Sequence, residues 1–244
     1  FYNMVEYASN YSIVSEITTN GSLLNDSNIK KLLKSNLSRI TVSIDGASSE
    51  VFEKIRIKSN FKTVVSNCKN LIGLFKKKII RPEISAWCVV QNDNVIEFEK
   101  IYDLCTEIGF DKLTYQFHLS GWGKSEWDKI NSTKKIEINS LKQQIEKIKQ
   151  KGKKDNMEVN IFEENLLSFD KQCVWPWESS YISKTGDVVP CCIIGDEKVV
   201  SFGNIKENSF EDIWNSQSYE NFRNDIKNNK IPNYCKNCYQ EFKN

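Results

Sequence analysis

Four short runs of strand-forming residues punctuate the first 120 positions, and segments of helical period fill the gaps between them. The runs are Ile13–Thr18, Ile40–Asp45, Ile84–Val90 and Leu113–Leu119. Their starts lie 27 to 44 residues apart, the length of successive strand–helix–strand units. Helices are expected at Phe1–Ala8, at Ser27–Lys34, across Ser49–Lys78 in one broken or two pieces, and at Val95–Ile108. Alternation of this kind predicts an α/β chain with a parallel sheet under a helical cover. Any ligand should then sit at the C-terminal ends of the strands. Those ends are polar: Thr18-Thr19-Asn20-Gly21, Ser43-Ile44-Asp45-Gly46, Gln91-Asn92-Asp93-Asn94 and Gln116-Phe117-His118-Leu119. Taken singly, Asn-Gly and Asp-Gly are turn chemistry; four such ends on one rim point to a shared small-molecule site.

Downstream, Lys134–Lys154 reads as a helix with a solvated basic face over an inner stripe of Ile136, Ile138, Leu141, Ile145 and Ile148. Composition changes near Lys151–Asn156, which sets the expected domain boundary: residues 1–155, then residues 156–244. His118 is the only histidine, so histidine-based triads are poorly supported and a strand role is expected for it. Gly121-Trp-Gly123-Lys124 is too short for a phosphate-binding loop. A net charge of +2 excludes the strongly basic profile of a nucleic-acid or acidic-membrane binder. No apolar run approaches the roughly 20 residues of a membrane span. No secretory signal is visible, and a cytoplasmic location is expected. The chain opens on Phe1 within a helix-like segment, so the expectation is that the natural N-terminus lies upstream.

Of the eight cysteines, five fall in the last 72 residues. Cys68 and Cys105 sit on the apolar faces of helical runs and Cys88 within a strand-like run, where buried thiols behave as small hydrophobes. The others follow no period. Cys235-Lys-Asn-Cys238 is a CxxC after Pro232, Cys191-Cys192 follows Gly186-Asp-Val-Val-Pro190, and Cys173 precedes that glycine by 13 positions. One cysteine, one adjacent pair and one CxxC make four ligands and a spare. Two thiolates three apart can turn towards one metal centre. Disulfides are disfavoured in a charge-rich chain without a secretory signature. Zinc and an iron–sulfur cluster both fit the spacing.

Read together, these segments resemble a known family. TTNG, and SIDG followed by Phe52-Glu-Lys-Ile-Arg56, are similar to the middle of the radical S-adenosylmethionine (radical SAM) enzymes. Cys173-Val-Trp-Pro-Trp177, Gly186-x4-Cys191-Cys192, Gly203-Asn-Ile205, Ile213-Trp214-Asn215 and Cys235-x2-Cys238 resemble their C-terminal SPASM or twitch extension. The resemblance implies a partial (β/α)6 radical SAM barrel over 1–155 and an iron–sulfur twitch or SPASM domain over 156–244. It also implies two cofactors of the barrel, S-adenosylmethionine and a catalytic [4Fe-4S] cluster. Reductive cleavage there yields a 5′-deoxyadenosyl radical that abstracts hydrogen from substrate. The family's defining CxxxCxxC is absent from these 244 residues, and four strands rather than six are recognised. The expectation is a truncated chain, two strands short, that is inactive alone.

For the auxiliary [4Fe-4S] cluster the resemblance assigns Cys173, Cys191, Cys235 and Cys238, with Cys192 as the spare. Neighbours in an extended segment point to opposite sides, so one of the adjacent pair is left out. The spacings of 18, 44 and 3 resemble those of the 2-deoxy-scyllo-inosamine dehydrogenase-like twitch enzymes, which have one auxiliary cluster. Thr19 and Ser43 match positions where the family holds the methionyl end of the cofactor, with Asn20, Asp45 and Asn94 as neighbours. The dehydrogenase branch implies oxidation of a sugar-like alcohol, the electron passing to the auxiliary cluster. The maturase branch implies a peptide or protein substrate, as in sulfatase activation or thioether formation. Trp122, Trp127 and the loop 120–135 are expected near the mouth of the barrel. A flavodoxin or ferredoxin would supply electrons. A reading outside the family is a non-catalytic zinc-binding module held by four cysteines.

Overall fold

The computed structural model describes residues 1–117, 136, 138–162 and 172–238. The expectations for His118, for Trp122 and Trp127, and for the loop 120–135 lie outside these residues. By contacts the chain divides into one unit of residues 1–119 and 133–163 and a second of 120–132 and 164–244.

The first unit opens with helix α1 (Tyr2–Asn10), strand β1 (Glu16–Thr19), α2 (Asp26–Leu32), β2 (Arg39–Ser43), α3 (Ser49–Ile55) and α4 (Phe61–Phe75). It continues with β3 (Glu83–Val89), α5 (Phe98–Ile108), β4 (Lys112–Gln116), α6 (Lys142–Asp155) and β5 (Glu158–Phe162). All five strands are parallel, in the order β1-β2-β3-β4-β5. That sequential order is the winding of a (β/α) barrel; a doubly wound sheet reverses at a switch point.

Local chemistry sets the helix starts. Asn25, Ser48 and Asn60 each accept a hydrogen bond from a backbone N–H three residues on, capping α2, α3 and α4. The left-handed Gly109 closes α5. Ile40, Val42, Ile84, Ala86, Cys88, Leu113 and Tyr115 alternate onto one face of the sheet. That face is buried under helices that contribute Phe52, Val64, Leu71, Ile101 and Cys105. Cys68, Cys88 and Cys105 are fully buried in this core, and burial pushes the Cys68 thiol up to about 12. They are the small hydrophobes that their periods suggested. Gly46, the glycine of SIDG, is a packing requirement: a Cβ there would meet the backbone nitrogen of Phe52 at 2.7 Å.

Three elements differ from the sequence reading. Pairing of β1 starts at Glu16 and leaves Ile13 and Val14 exposed, because α1 ends on the left-handed Ser12. Of the expected Lys134–Lys154 helix, the described part is a 3-10 turn at Ile138–Leu141 followed by α6. The third difference is β5, which pairs with β4 from Lys112↔Glu158 to Gln116↔Phe162. It lies past the expected boundary at 155/156. Among the described residues the sheet therefore has five strands where the sequence reading recognised four.

The start of β3 is pinned to β4 by charge. Arg81 forks onto Asp111 with two bonds of 2.7 Å, and Asp111 also accepts the Ile84 N–H at 2.8 Å. Burial works to raise the Asp111 carboxyl, but these bonds and the charges of Arg81 and Lys76 outweigh it and hold the group below 3.8. A depressed acid stabilises the fold above its unfolded-state value, and that stability is lost as pH falls through the folded one. We expect Asp111→Asn to cost about 1–2 kcal/mol at neutral pH, with wild type and variant converging in urea denaturation below about pH 4. A difference that persists unchanged at pH 3 would contradict the assignment.

The second unit contains α7 (Trp175–Glu178), the antiparallel pair β6 (Tyr181–Ile182) and β7 (Val188–Val189), α8 (Phe210–Trp214), α9 (Gln217–Lys227) and a 3-10 segment at Asn233–Cys238. Its small core is Val188, Ile213, Tyr219, Phe222 and Ile226, against which Cys235 packs.

Candidate functional site: a polar sheet face and a cluster of thiols

The sheet face opposite the helices is polar. At its N-terminal edge Arg39 bonds Glu16 at 2.5 Å and Glu83 at 2.9 Å. One step along, the hydroxyls of Thr41 and Ser85 meet at 2.9 Å. Nearer the C-terminal ends the Trp87 indole N–H donates to Gln116 Oε1 at 2.8 Å, and its ring stands 5.7 Å from that of Phe162. All of these except Gln116 line a cavity of about 510 Å³, within the usual range for small-ligand sites. Carboxylates, guanidinium, hydroxyls and amides at this face can hold a zwitterionic or polar ligand, while Trp87 and Phe162 offer aromatic surface.

The five expected cofactor-binding residues divide. Ser43 lies two residues beyond Thr41, on the cavity side of β2, and is largely buried. Thr19 does not share that face. It pairs with Val42, and its hydroxyl accepts the Gly21 N–H at 3.2 Å. The β1 hydroxyl that lines the cavity is that of Thr18. Asn20 folds back on Ser22, accepting from its N–H at 3.1 Å and its hydroxyl at 2.7 Å. Asp45 is 2% exposed. It receives Arg56 through Nε at 2.6 Å and Nη2 at 2.5 Å, and the Val89 N–H at 2.8 Å. Burial pushes its carboxyl up, against the pull of Arg56 and the Val89 N–H. Asn94, also buried, donates to the carbonyls of Asp45 at 3.1 Å and Val89 at 2.8 Å and accepts the Gln91 N–H at 2.8 Å. The bonds described for Thr19, Asn20, Asp45 and Asn94 are thus internal to the strand ends.

In the second unit α9 organises the cysteine segments. Arg223 Nε reaches the Pro176 carbonyl at 2.9 Å, and Gln172 Nε2 reaches the Lys227 carbonyl at 3.1 Å. Both tie the Cys173 segment to this helix. Strand β7, whose Val188 is fully buried, runs into Pro190 and Cys191, and Cys235 packs on the same core. None of the eight cysteines is in a disulfide. Burial raises the thiols of Cys173, Cys191 and Cys235. The Cys235 thiol is raised further by Cys191, Cys238 and Cys173, and that of Cys191 by Cys192 and Cys173. The N–H groups of Ile194 and Ile193 pull Cys191 the other way, towards the thiolate, as that of Trp175 does for Cys173. Cys173, Cys191, Cys235 and Cys238 are therefore electrostatic neighbours, and so is Cys192 through Cys191, although its side chain is exposed. Among the described residues, no three of His, Cys, Asp or Glu are gathered at the spacing of a single metal ion.

A donor set of four thiols suits an iron–sulfur cluster, and orphaned polar atoms accompany it. Among the described residues the Tyr219 hydroxyl and Arg223 Nη2 are buried without a hydrogen-bond partner. Sequence reasoning missed both residues. Each is an ordinary member of an amphipathic helix until α9 is placed against the cysteine segments.

These features define a class. Residues 173–239 match the family described as "SPASM: Iron-sulfur cluster-binding domain", so the tail is a cluster-binding domain. Along nearly its whole length the chain is similar to radical SAM enzymes that carry such a domain. It is 22% identical over 241 residues to the AdoMet-dependent heme synthase of Methanosarcina barkeri, covering 91% of this chain and 66% of that protein. It is 23% identical over 246 residues to the mycofactocin maturase MftC of Mycolicibacterium smegmatis, covering 98% and 59%. The structure of Streptococcus suis SuiB bound to its precursor peptide SuiA superposes with a TM-score of 0.67 at 16% identity, over 91% of this chain and 52% of that one. At that identity the likeness is one of fold. The chain spans about half to two-thirds of the length of these relatives.

Proposed function

We propose that these residues are the barrel and auxiliary-cluster portion of a radical SAM enzyme that modifies a peptide. The carrying observation is the combination of a polar sheet face with a tail in which the Cys173, Cys191 and Cys238 thiols all act on that of Cys235. On this reading residues 1–155 with β5 hold S-adenosylmethionine, and the tail to residue 244 holds the auxiliary [4Fe-4S] cluster. When bound, the cofactor and its cluster supply a radical able to abstract hydrogen from carbon. This chain's residues would orient the cofactor: Ser43 and Thr18 offer hydroxyls to its charged amino-acid end, and Trp87 offers a ring face. Asp45, Asn94 and Asn20 hold the strand ends that carry those groups, and Thr19 does the same through Gly21.

The peptide assignment draws support from relatives whose names state it: the PqqA peptide cyclase of Rhizobium meliloti, 21% identical over 96% of this chain, and SuiB bound to its precursor peptide SuiA. The tail spacing of 18, 44 and 3 favours the second reading, oxidation of a sugar-like alcohol. Product mass spectrometry separates the two, since a modified peptide and a hydrazine-trapped ketone are distinct species. The zinc-module reading has less support, because residues 173–239 match a family described as iron–sulfur cluster-binding. A flavodoxin or ferredoxin donor remains part of the proposal.

Binding of S-adenosylmethionine, measured by equilibrium titration, tests the barrel side. Ser43→Ala and Thr18→Val are each expected to weaken it roughly tenfold, the loss of one hydrogen bond to a charged group. Unchanged binding in both variants would overturn the placement. Without a CxxxCxxC, these residues alone are expected to release no 5′-deoxyadenosine under dithionite; release would contradict the proposal.

A further inference from the structure

Two side chains of the second unit are arranged as if a partner were expected. Tyr219 is fully buried, yet its hydroxyl meets no acceptor among the described residues. Arg223, one turn on along α9, spends Nε on Pro176 and Nη1 on the Trp214 carbonyl at 2.8 Å. Its guanidinium lies 4.4 Å from the ring centres of both Trp214 and Tyr219, and Nη2 is buried and unpaired. Buried donors without acceptors are rare, and each calls for an explanation. Here the surroundings supply one. Arg223 is bonded to the segment that follows Cys173, and the Cys191 thiol is among the groups that act on the Tyr219 phenol. Arg223 is thus tied to the Cys173 segment and the Tyr219 phenol lies within electrostatic reach of Cys191, where a cluster held by these thiols would present sulfur as a hydrogen-bond acceptor.

We propose that the Tyr219 hydroxyl and Arg223 Nη2 donate hydrogen bonds to sulfur of the auxiliary cluster and hold its reduction potential up. The inference rests on the reading of Cys173, Cys191, Cys235 and Cys238 as ligands. Reduction adds one negative charge to the cluster, and a donor or a cation beside sulfur stabilises the reduced state more than the oxidised one. Hydrogen bonds to sulfur are among the determinants of such potentials, and residues bonded to metal ligands commonly tune the centre. Tyr219 and Arg223 are positioning and tuning residues on this account, not catalytic ones.

The test uses the 244-residue chain, reconstituted anaerobically with iron and sulfide and titrated with dithionite under spectroelectrochemical control. Tyr219→Phe removes only the orphaned oxygen. It should keep the wild-type iron and sulfide content while the reduction equilibrium shifts roughly three- to tenfold towards the oxidised form. Tenfold is about 59 mV for a one-electron couple. Arg223→Lys retains a charge but loses the fork, and should shift the potential the same way; should it fail to fold, Tyr219→Phe decides alone. A loaded Tyr219→Phe with the wild-type potential overturns this inference and leaves the cluster reading standing. A wild-type chain that takes up no iron and sulfide overturns both.

Discussion

Cys235→Ala is expected to reduce the iron and acid-labile sulfide of the anaerobically reconstituted chain to background. Cys235 is the thiol on which Cys191, Cys238 and Cys173 all act, and it packs on the core of its unit. A cubane that loses one of four thiolates is left with an exposed iron, and cluster loss commonly follows. Cys191→Ala should behave alike, whereas Cys192→Ala, which alters an exposed side chain, should keep both its iron and its visible absorbance. Because metal binding to such small domains is coupled to folding, the two damaging variants should also become readily cleaved by protease within residues 172–238. Loss of iron in Cys192→Ala, with retention in Cys191→Ala, would reverse the choice between the adjacent pair.

Asp45→Ala carries the largest expected cost in the first unit, about 3 kcal/mol, because removing one partner of a buried ion pair leaves the other charge uncompensated, at about 3–5 kcal/mol. The lower end applies because Arg56 keeps 29% of its side-chain exposure. The Val89 N–H loses its acceptor in the same step. Asp45→Asn, which can still accept from Val89, should cost about half as much. Urea denaturation measures both. If Asp45→Ala keeps wild-type stability and instead loses S-adenosylmethionine binding, Asp45 belongs to the ligand site and not to the scaffold.

The strand–helix alternation was legible because parallel strands buried on one face carry β-branched, aromatic and small apolar runs, as at Ile40–Ser43 and Ile84–Val89. Strand β5 was not. Glu158-Val-Asn-Ile-Phe162 alternates polar and apolar residues directly after the lysine-rich α6, and only its pairing with β4 makes it a strand. The phase of the pleat escaped for a similar reason. In Thr18-Thr19 two hydroxyls stand side by side, and the register with Thr41 and Val42 decides which one faces the cavity. Asp45 and Asn94 were read from their place at strand ends, and that place was right. Their bonds to one another and to Arg56 depend on contacts across 11 to 49 positions that no local pattern encodes. In the tail, cysteine spacing carried the class of site. The orphaned donors on α9 stayed invisible until the helix was packed against the Cys173 segment and Cys235.

The account depends most on four sulfurs sharing one inorganic core, and elemental analysis of the purified chain addresses that directly. Prepared without oxygen, it should be brown, with a broad visible absorbance and about four iron and four acid-labile sulfide per chain. A colourless chain holding one zinc and no sulfide would contradict the account.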